Sequence, residues 1–189
     1  LHFCHVSTKE AIDAIREAQK EGHHVTCEVT PHHLFATGEE VQYYRVNPPF
    51  RDAADIDALI KALQDGVASA IATDHAPHTL EEKEAGAPGM IGLELAFPLC
   101  YTKLVKNNHL SLSQLVQKMS TNPSQLMKLN KGCLKPGFDA DFAIFNLDTE
   151  FTVFEDFFES KSVNSPFIGQ KLYGKIVKTV RKGVEFNWK

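Results

Sequence analysis

The chain has 189 residues, 43% of them hydrophobic, with 20 Lys and Arg against 24 Asp and Glu and a formal net charge of −4. This is an ordinary globular composition, enough for one good core or one and a half domains, and its mild acidity leaves no electrostatic footprint for nucleic acid or a membrane surface. No apolar run approaches the roughly 18 residues a spanning helix needs, and no signal peptide is visible. Cys4, Cys27, Cys100 and Cys133 are widely spaced without a CxxC pair, which predicts reduced thiols and a cytoplasmic protein.

The elements alternate in type along the chain. Leu1 to Val6 is strand-like; Ser7 then reads as an N-cap, with Glu10 completing a capping box. Ala11, Ile12, Ile15 and Ala18 form the apolar stripe of the helix that follows, and Gly22 stops it. A second strand, Val25 to Val29, ends in "TPHHL", and a loop with "NPPF" leads to a helix from about Asp52 to Gln64. Gly66 ends that helix, and Val67 to Thr73 is a third strand running into "DHAPH". Strand, helix, strand, helix, strand is the βα pattern of a parallel sheet.

Helical stretches follow at Leu93 to Val105, interrupted by Pro98, at Leu112 to Met119, and between Pro123 and Leu129. From Gly132 the character changes. Phe142, Ile144 and Leu147 form an alternating apolar run, and "KLYGKIVKTVRKGVEF" reads as a hairpin turning at Lys182-Gly183. Because the first residues already look like a core strand, the chain is expected to be part of a longer polypeptide, and the few late strands to complete a sheet begun elsewhere.

Polar residues cluster after the strand ends: His5 and Ser7, His32 and His33, Asp74 and His78. In parallel α/β folds sites are built at that edge. Taken singly, His5 could be a satisfied structural histidine, Asp74 an N-cap, His78 a solvated side chain and Asn47 a turn residue. Together they bring imidazole nitrogen and carboxylate oxygen to one rim, the donors a borderline metal such as Zn²⁺ accepts. A cation would also offset the cost of desolvating the Asp74 carboxylate. Adjacent residues on a strand point to opposite faces, so His32 and His33 are expected to be structural or to support a ligand, and His75 to be structural. His2, His23, His24 and His109 carry no positional signal.

The blocks "CHVSTKE", "EVTPHHL", "NPPFRD", "IATDHAPHTLEEK" and "GLELAFPL", and the terminal "SPFIGQKLYGKIVKTVRKGVEF", resemble consecutive blocks of the type I dihydroorotases of the amidohydrolase superfamily. Hydantoinases and allantoinases share the strand-end aspartate but usually surround it with other residues. The resemblance implies an α/β fold: residues 1–131 as the C-terminal part of a (β/α)8 TIM barrel of the metal-dependent hydrolase type, and residues 132–189 as the C-terminal share of a composite β domain. A full barrel needs eight strands and about 250 residues, so about three βα units cannot close one alone.

By the same resemblance His5 is a metal ligand, and Asp74 is both a metal ligand and the general acid/base. Asn47 and His78 hold the pyrimidine-like ring of the substrate, and Pro88-Gly89 contacts it through the backbone, on a loop shorter than in the relatives. The implied reaction is the reversible cyclisation of N-carbamoyl-L-aspartate to L-dihydroorotate in pyrimidine biosynthesis. The implied cofactor is Zn²⁺, one or two per complete subunit, with the remaining ligands upstream of Leu1. A homodimer and association with aspartate transcarbamoylase are the partners implied, and residues 1–189 by themselves are expected to be inactive. The alternatives are another cyclic amidohydrolase, hydantoinase- or allantoinase-like, and a catalytically silent scaffold.

Overall fold

The computed structural model describes residues 1–187. Three parallel strands, β1 (His2–Phe3), β2 (Thr26–Val29) and β3 (Ala70–Ile71), form a sheet in the order β1-β2-β3. The register pairs Phe3 with Cys27 and Val29 with Ile71, so the C-terminal ends of all three open on one edge. Between β1 and β2 runs α1 (Lys9–Lys20); between β2 and β3 run α2 (Pro31–Phe35) and α3 (Ala53–Asp65). The predicted βαβαβ order is present. Its strands are shorter than their apolar runs because each lasts only as long as its ladder to the neighbour.

Local chemistry explains the helix boundaries. Asp52 caps α3 by accepting from Asp55 N, and Gly66 ends it with a left-handed φ of 89°. The capping box predicted at Ser7 is absent: Thr8 is the N-cap and accepts from Ala11 N. Ser7 Oγ instead accepts a hydrogen bond from Arg51 Nε at 3.2 Å, a partner 44 residues away that local sequence cannot reveal. "PHHLF" is not the end of a strand but the short helix α2, capped by Thr30 with Pro31 in its first turn.

After β3 come α4 (Leu80–Glu84) and α5 (Ala96–Cys100), the latter continuing as a π-helical turn over Tyr101–Val105. Pro98 therefore does not interrupt its helix. It sits in the first turn, where a missing N–H costs no intrahelical bond. α6 (Leu112–Val116), a π-turn (Gln117–Thr121) and α7 (Asn122–Leu126) complete the helical part. Lys118 Nζ donates to Ala68 O at 2.7 Å and Asn122 Nδ2 to Ser69 O at 2.8 Å, so the π-turn and α7 satisfy the carbonyls that enter β3.

In β2 the burial alternates. Cys27 and Val29 face a core built with Ile12, Ile15, Leu59, Leu63 and Leu104, while Thr26 and Glu28 face the other side of the sheet.

The late strands are β4 (Phe142–Asn146), β5 (Phe151–Thr152), β6 (Lys171–Leu172), β7 (Lys175–Arg181) and β8 (Val184–Asn187). β4, β7 and β8 make an antiparallel sheet, with the expected turn at Lys182-Gly183, and β5 pairs with β6. Phe97 stacks on Phe145 at 3.8 Å between ring centroids, and Val153, Phe167 and Leu172 share a second core with Val46, Ile91 and Leu95. Among the described residues no helix is long and apolar enough to cross a membrane.

Candidate active site

His5 follows β1 and Asp74 follows β3, and both adopt a left-handed backbone, with φ of 57° and 50°. Such a conformation is uncommon for residues other than glycine and costs about 1–3 kcal/mol each unless the surroundings impose it. Here it turns both side chains onto the open edge of the sheet. Across the end of β2, His5 Nε2 and Asp74 Oδ1 stand 3.5 Å apart, each roughly two-thirds buried. Two donors on one tetrahedral zinc, bonded at about 2.0–2.1 Å, would be about 3.3 Å apart, so this pair fits a shared or bridging divalent cation.

Behind His5 lies Glu28, which the sequence reading did not single out. Its Oε1 is 3.1 Å from His5 Nδ1 and its Oε2 is 3.2 Å from His2 Nε2. The His5 contact is close in distance but not aligned as a hydrogen bond. Ligand atoms of His2, Cys4 and Glu28 lie within 4.8 Å of one another, a second grouping of metal-ligating types beside the His5 and Asp74 pair. Burial, followed by the Glu28 carboxylate, pushes the Cys4 thiol above its ordinary value.

His32 and His33 are both buried, on α2 rather than on a strand. His33 Nε2 donates to Pro48 O at 3.0 Å, which leaves Nδ1 to accept from the Thr30 hydroxyl at 2.7 Å. Burial lowers the His33 pKa to about 4, and it therefore stays neutral. Its bond to Pro48 anchors the loop that carries Asn47, an exposed residue. His32 is 2% exposed, its Nε2 has no hydrogen-bond partner, and burial drives its pKa well down, helped by the neighbouring His33 and His5. His75 is structural, as expected: its Nδ1 accepts from Gly92 N and Leu93 N at 3.0 and 3.3 Å.

His78, Pro88 and Gly89 come together. His78 Nε2 donates to Pro88 O at 3.0 Å, and its Nδ1 is 3.5 Å from Glu82 Oε2. Gly89 is required sterically. Its φ is 138°, and a Cβ there would meet the Ala76 Cβ at 2.6 Å and the His78 ring at 3.1 Å.

Lys83 supports the same loop. Its Nζ donates to Arg45 O, Ala87 O and Gly89 O at 3.0, 2.9 and 2.8 Å, and lies 4.3 Å from the centroid of the Tyr44 ring. All of the ammonium's donors are used. In sequence it is one charge in "LEEKE", indistinguishable from a solvated helix face.

The profile of the Amidohydrolase family matches residues 2–185. The chain belongs to the amidohydrolase family. It is 49% identical over 183 residues to a dihydroorotase of Clostridium botulinum, covering 97% of this chain and 46% of that protein. To a dihydroorotase of Acetivibrio thermocellus it is 47% identical over 191 residues, covering 97% and 45%. Among solved structures, the L-hydantoinase (dihydropyrimidinase) of Arthrobacter aurescens superposes with a TM-score of 0.92 at 34% identity, covering 100% of this chain and 45% of that one. The dihydropyrimidinase of Brevibacillus agri superposes equally well, with a TM-score of 0.92 at 26% identity over 98% and 44%. The fold is thus part of an amidohydrolase (β/α)8 barrel with an attached β unit, and the chain spans about half the length of the relatives it matches.

Proposed function

We propose that the polypeptide carrying this amidohydrolase chain is a zinc-dependent dihydroorotase, interconverting L-dihydroorotate and N-carbamoyl-L-aspartate. The observation that carries this reading is the approach of His5 Nε2 and Asp74 Oδ1 to 3.5 Å at the strand ends. The 49% identity to a dihydroorotase, against 34% to a hydantoinase, favours this ring over hydantoin.

His5 and Asp74 would hold the metal, together with ligands from other strands of the barrel. Zinc supplies, when bound, a lowered pKa for water and polarisation of the amide carbonyl. In ring opening Asp74 accepts the proton lost by the attacking water as the carbon–oxygen bond forms. It returns that proton to the ring nitrogen as the carbon–nitrogen bond breaks. In ring closure the same carboxylate takes the proton from the carbamoyl nitrogen and gives it to the departing hydroxide, so one group serves both directions. Asn47 and His78 orient the ring, and the backbone at Pro88-Gly89 completes its seat, a positioning role that can lower barriers by several kcal/mol. The subunit is read as acting in the cytoplasm, as a homodimer that can associate with aspartate transcarbamoylase, with residues 132–189 contributing to a composite β domain.

The test is turnover of dihydroorotate, hydantoin and allantoin by the natural polypeptide that contains these residues, with metal analysis of the same sample. Preference for dihydroorotate and at least one zinc per chain are expected. Preference for hydantoin would make it a hydantoinase, and less than one metal per chain without turnover a silent scaffold.

A further inference from the structure

The segment 160–165 runs back from the late part of the chain to the loop that follows Asp74. Asn164 spends its whole amide group there. Its Nδ2 donates to Ala76 O and to Gly89 O, both at 3.2 Å, and its Oδ1 accepts from His78 N at 3.2 Å. Its own carbonyl accepts from Ile91 N at 3.0 Å. Beside it Ser162 Oγ donates to His78 O. Two separate stretches of the loop, 76–78 and 89–91, are therefore tied to one residue 73 to 88 positions away in sequence.

The pattern of partners dictates the residue type. One N–H, the Ser162 hydroxyl and two carbonyls face the side chain, which calls for an accepting oxygen and two donors. A carboxamide offers both, a carboxylate has no donor, and a hydroxyl has one. Asn164 is bonded in turn by its neighbours, the Ser162 hydroxyl lying 2.5 Å from its Oδ1 and the Tyr44 side chain bonding it as well.

We propose that Asn164 is a positioning residue for the substrate ring, fixing the spacing between His78 and the Pro88-Gly89 backbone. The substrate half of this inference rests on the dihydroorotase reading; the loop-setting half does not. His78 and Gly89 would meet the ring in the ground state and the transition state alike, so loosening them removes uniform binding and raises KM with little change in kcat.

The experiment compares the natural polypeptide with Asn164→Asp, which keeps the shape and the acceptor but loses both donors, and with Ser162→Ala. For Asn164→Asp, KM for dihydroorotate is expected to rise about tenfold with kcat within about threefold. Metal content should stay constant, and amide hydrogen exchange across residues 76–91 should accelerate. Unchanged KM and unchanged exchange would overturn the proposal, as would loss of metal with a parallel fall in kcat. If the natural polypeptide turns over no dihydroorotate, the functional reading fails separately; faster exchange then still upholds the loop-setting role, and unchanged exchange removes it. Should Asn164→Asp fail to fold, Ser162→Ala decides on the same readouts.

Discussion

Asp74→Asn preserves the shape of the side chain and removes its capacity to accept a proton. Under the proposed function, loss of a general acid/base is worth about 10²–10⁴ in rate, so kcat for both ring opening and closure is expected to fall by about a thousandfold, measured by steady-state turnover in each direction. His33 makes a different prediction, on stability. Burial holds its pKa near 4 in the folded state, against 6.5 for the free side chain. Above pH 6.5 both states are neutral there. As pH falls towards 4 the unfolded chain takes up a proton that the folded one refuses, so stability is lost across that window, by about 3 kcal/mol at full effect. Denaturant midpoints at pH 7 and pH 4.5 should therefore converge for wild type and His33→Gln as acid is added, and parallel curves would show that the imidazole does not contribute.

Among the elements, α3 was the most legible and α2 the least. Asp52 as a cap and Gly66 as a stop act within a turn of their own positions, and both are plain in the sequence. Gly66 has φ of 89° and open space around a built Cβ. Gly66→Ala should therefore cost about 1 kcal/mol from backbone conformation alone, read from a urea midpoint. "VTPHHL" reads as the end of a strand, but the Thr30-Pro31 pair signalled a helix start, and with it the burial of both histidines. The cap moved from Ser7 to Thr8 because Arg51 claims the Ser7 hydroxyl, a contact made only after folding. The same limit applies to the site. His5, Asp74 and His78 stand out by type and by place after strands, whereas Glu28, Lys83 and Asn164 acquire their roles from partners distant in sequence. No periodicity or spacing signals those.

At the scale of the molecule, the parallel sheet has three strands among the described residues, and an eight-stranded barrel is the closed form of such a sheet. Leu1 is 80% exposed beside β1, and Phe142, Ile144, Val177 and Phe186 leave apolar surface on the antiparallel sheet. Unpaired strand edges and such surface drive association with other chains. Expressed by themselves, residues 1–189 are expected to aggregate and to show no turnover. Co-expression with the complementary half of a relative's barrel should recover soluble protein. Sedimentation and a dihydroorotate assay on both preparations check this, and a soluble, active 189-residue chain would contradict it.

The left-handed backbone at positions 5 and 74 sets thermal endurance against chemistry. Glycine would relieve the strain at either place and remove the imidazole or carboxylate on which the proposed function depends. Directed evolution of the natural polypeptide under heat selection alone, with no pressure on turnover, should therefore drift towards Gly at these two sites and yield hardier proteins with an empty hearth.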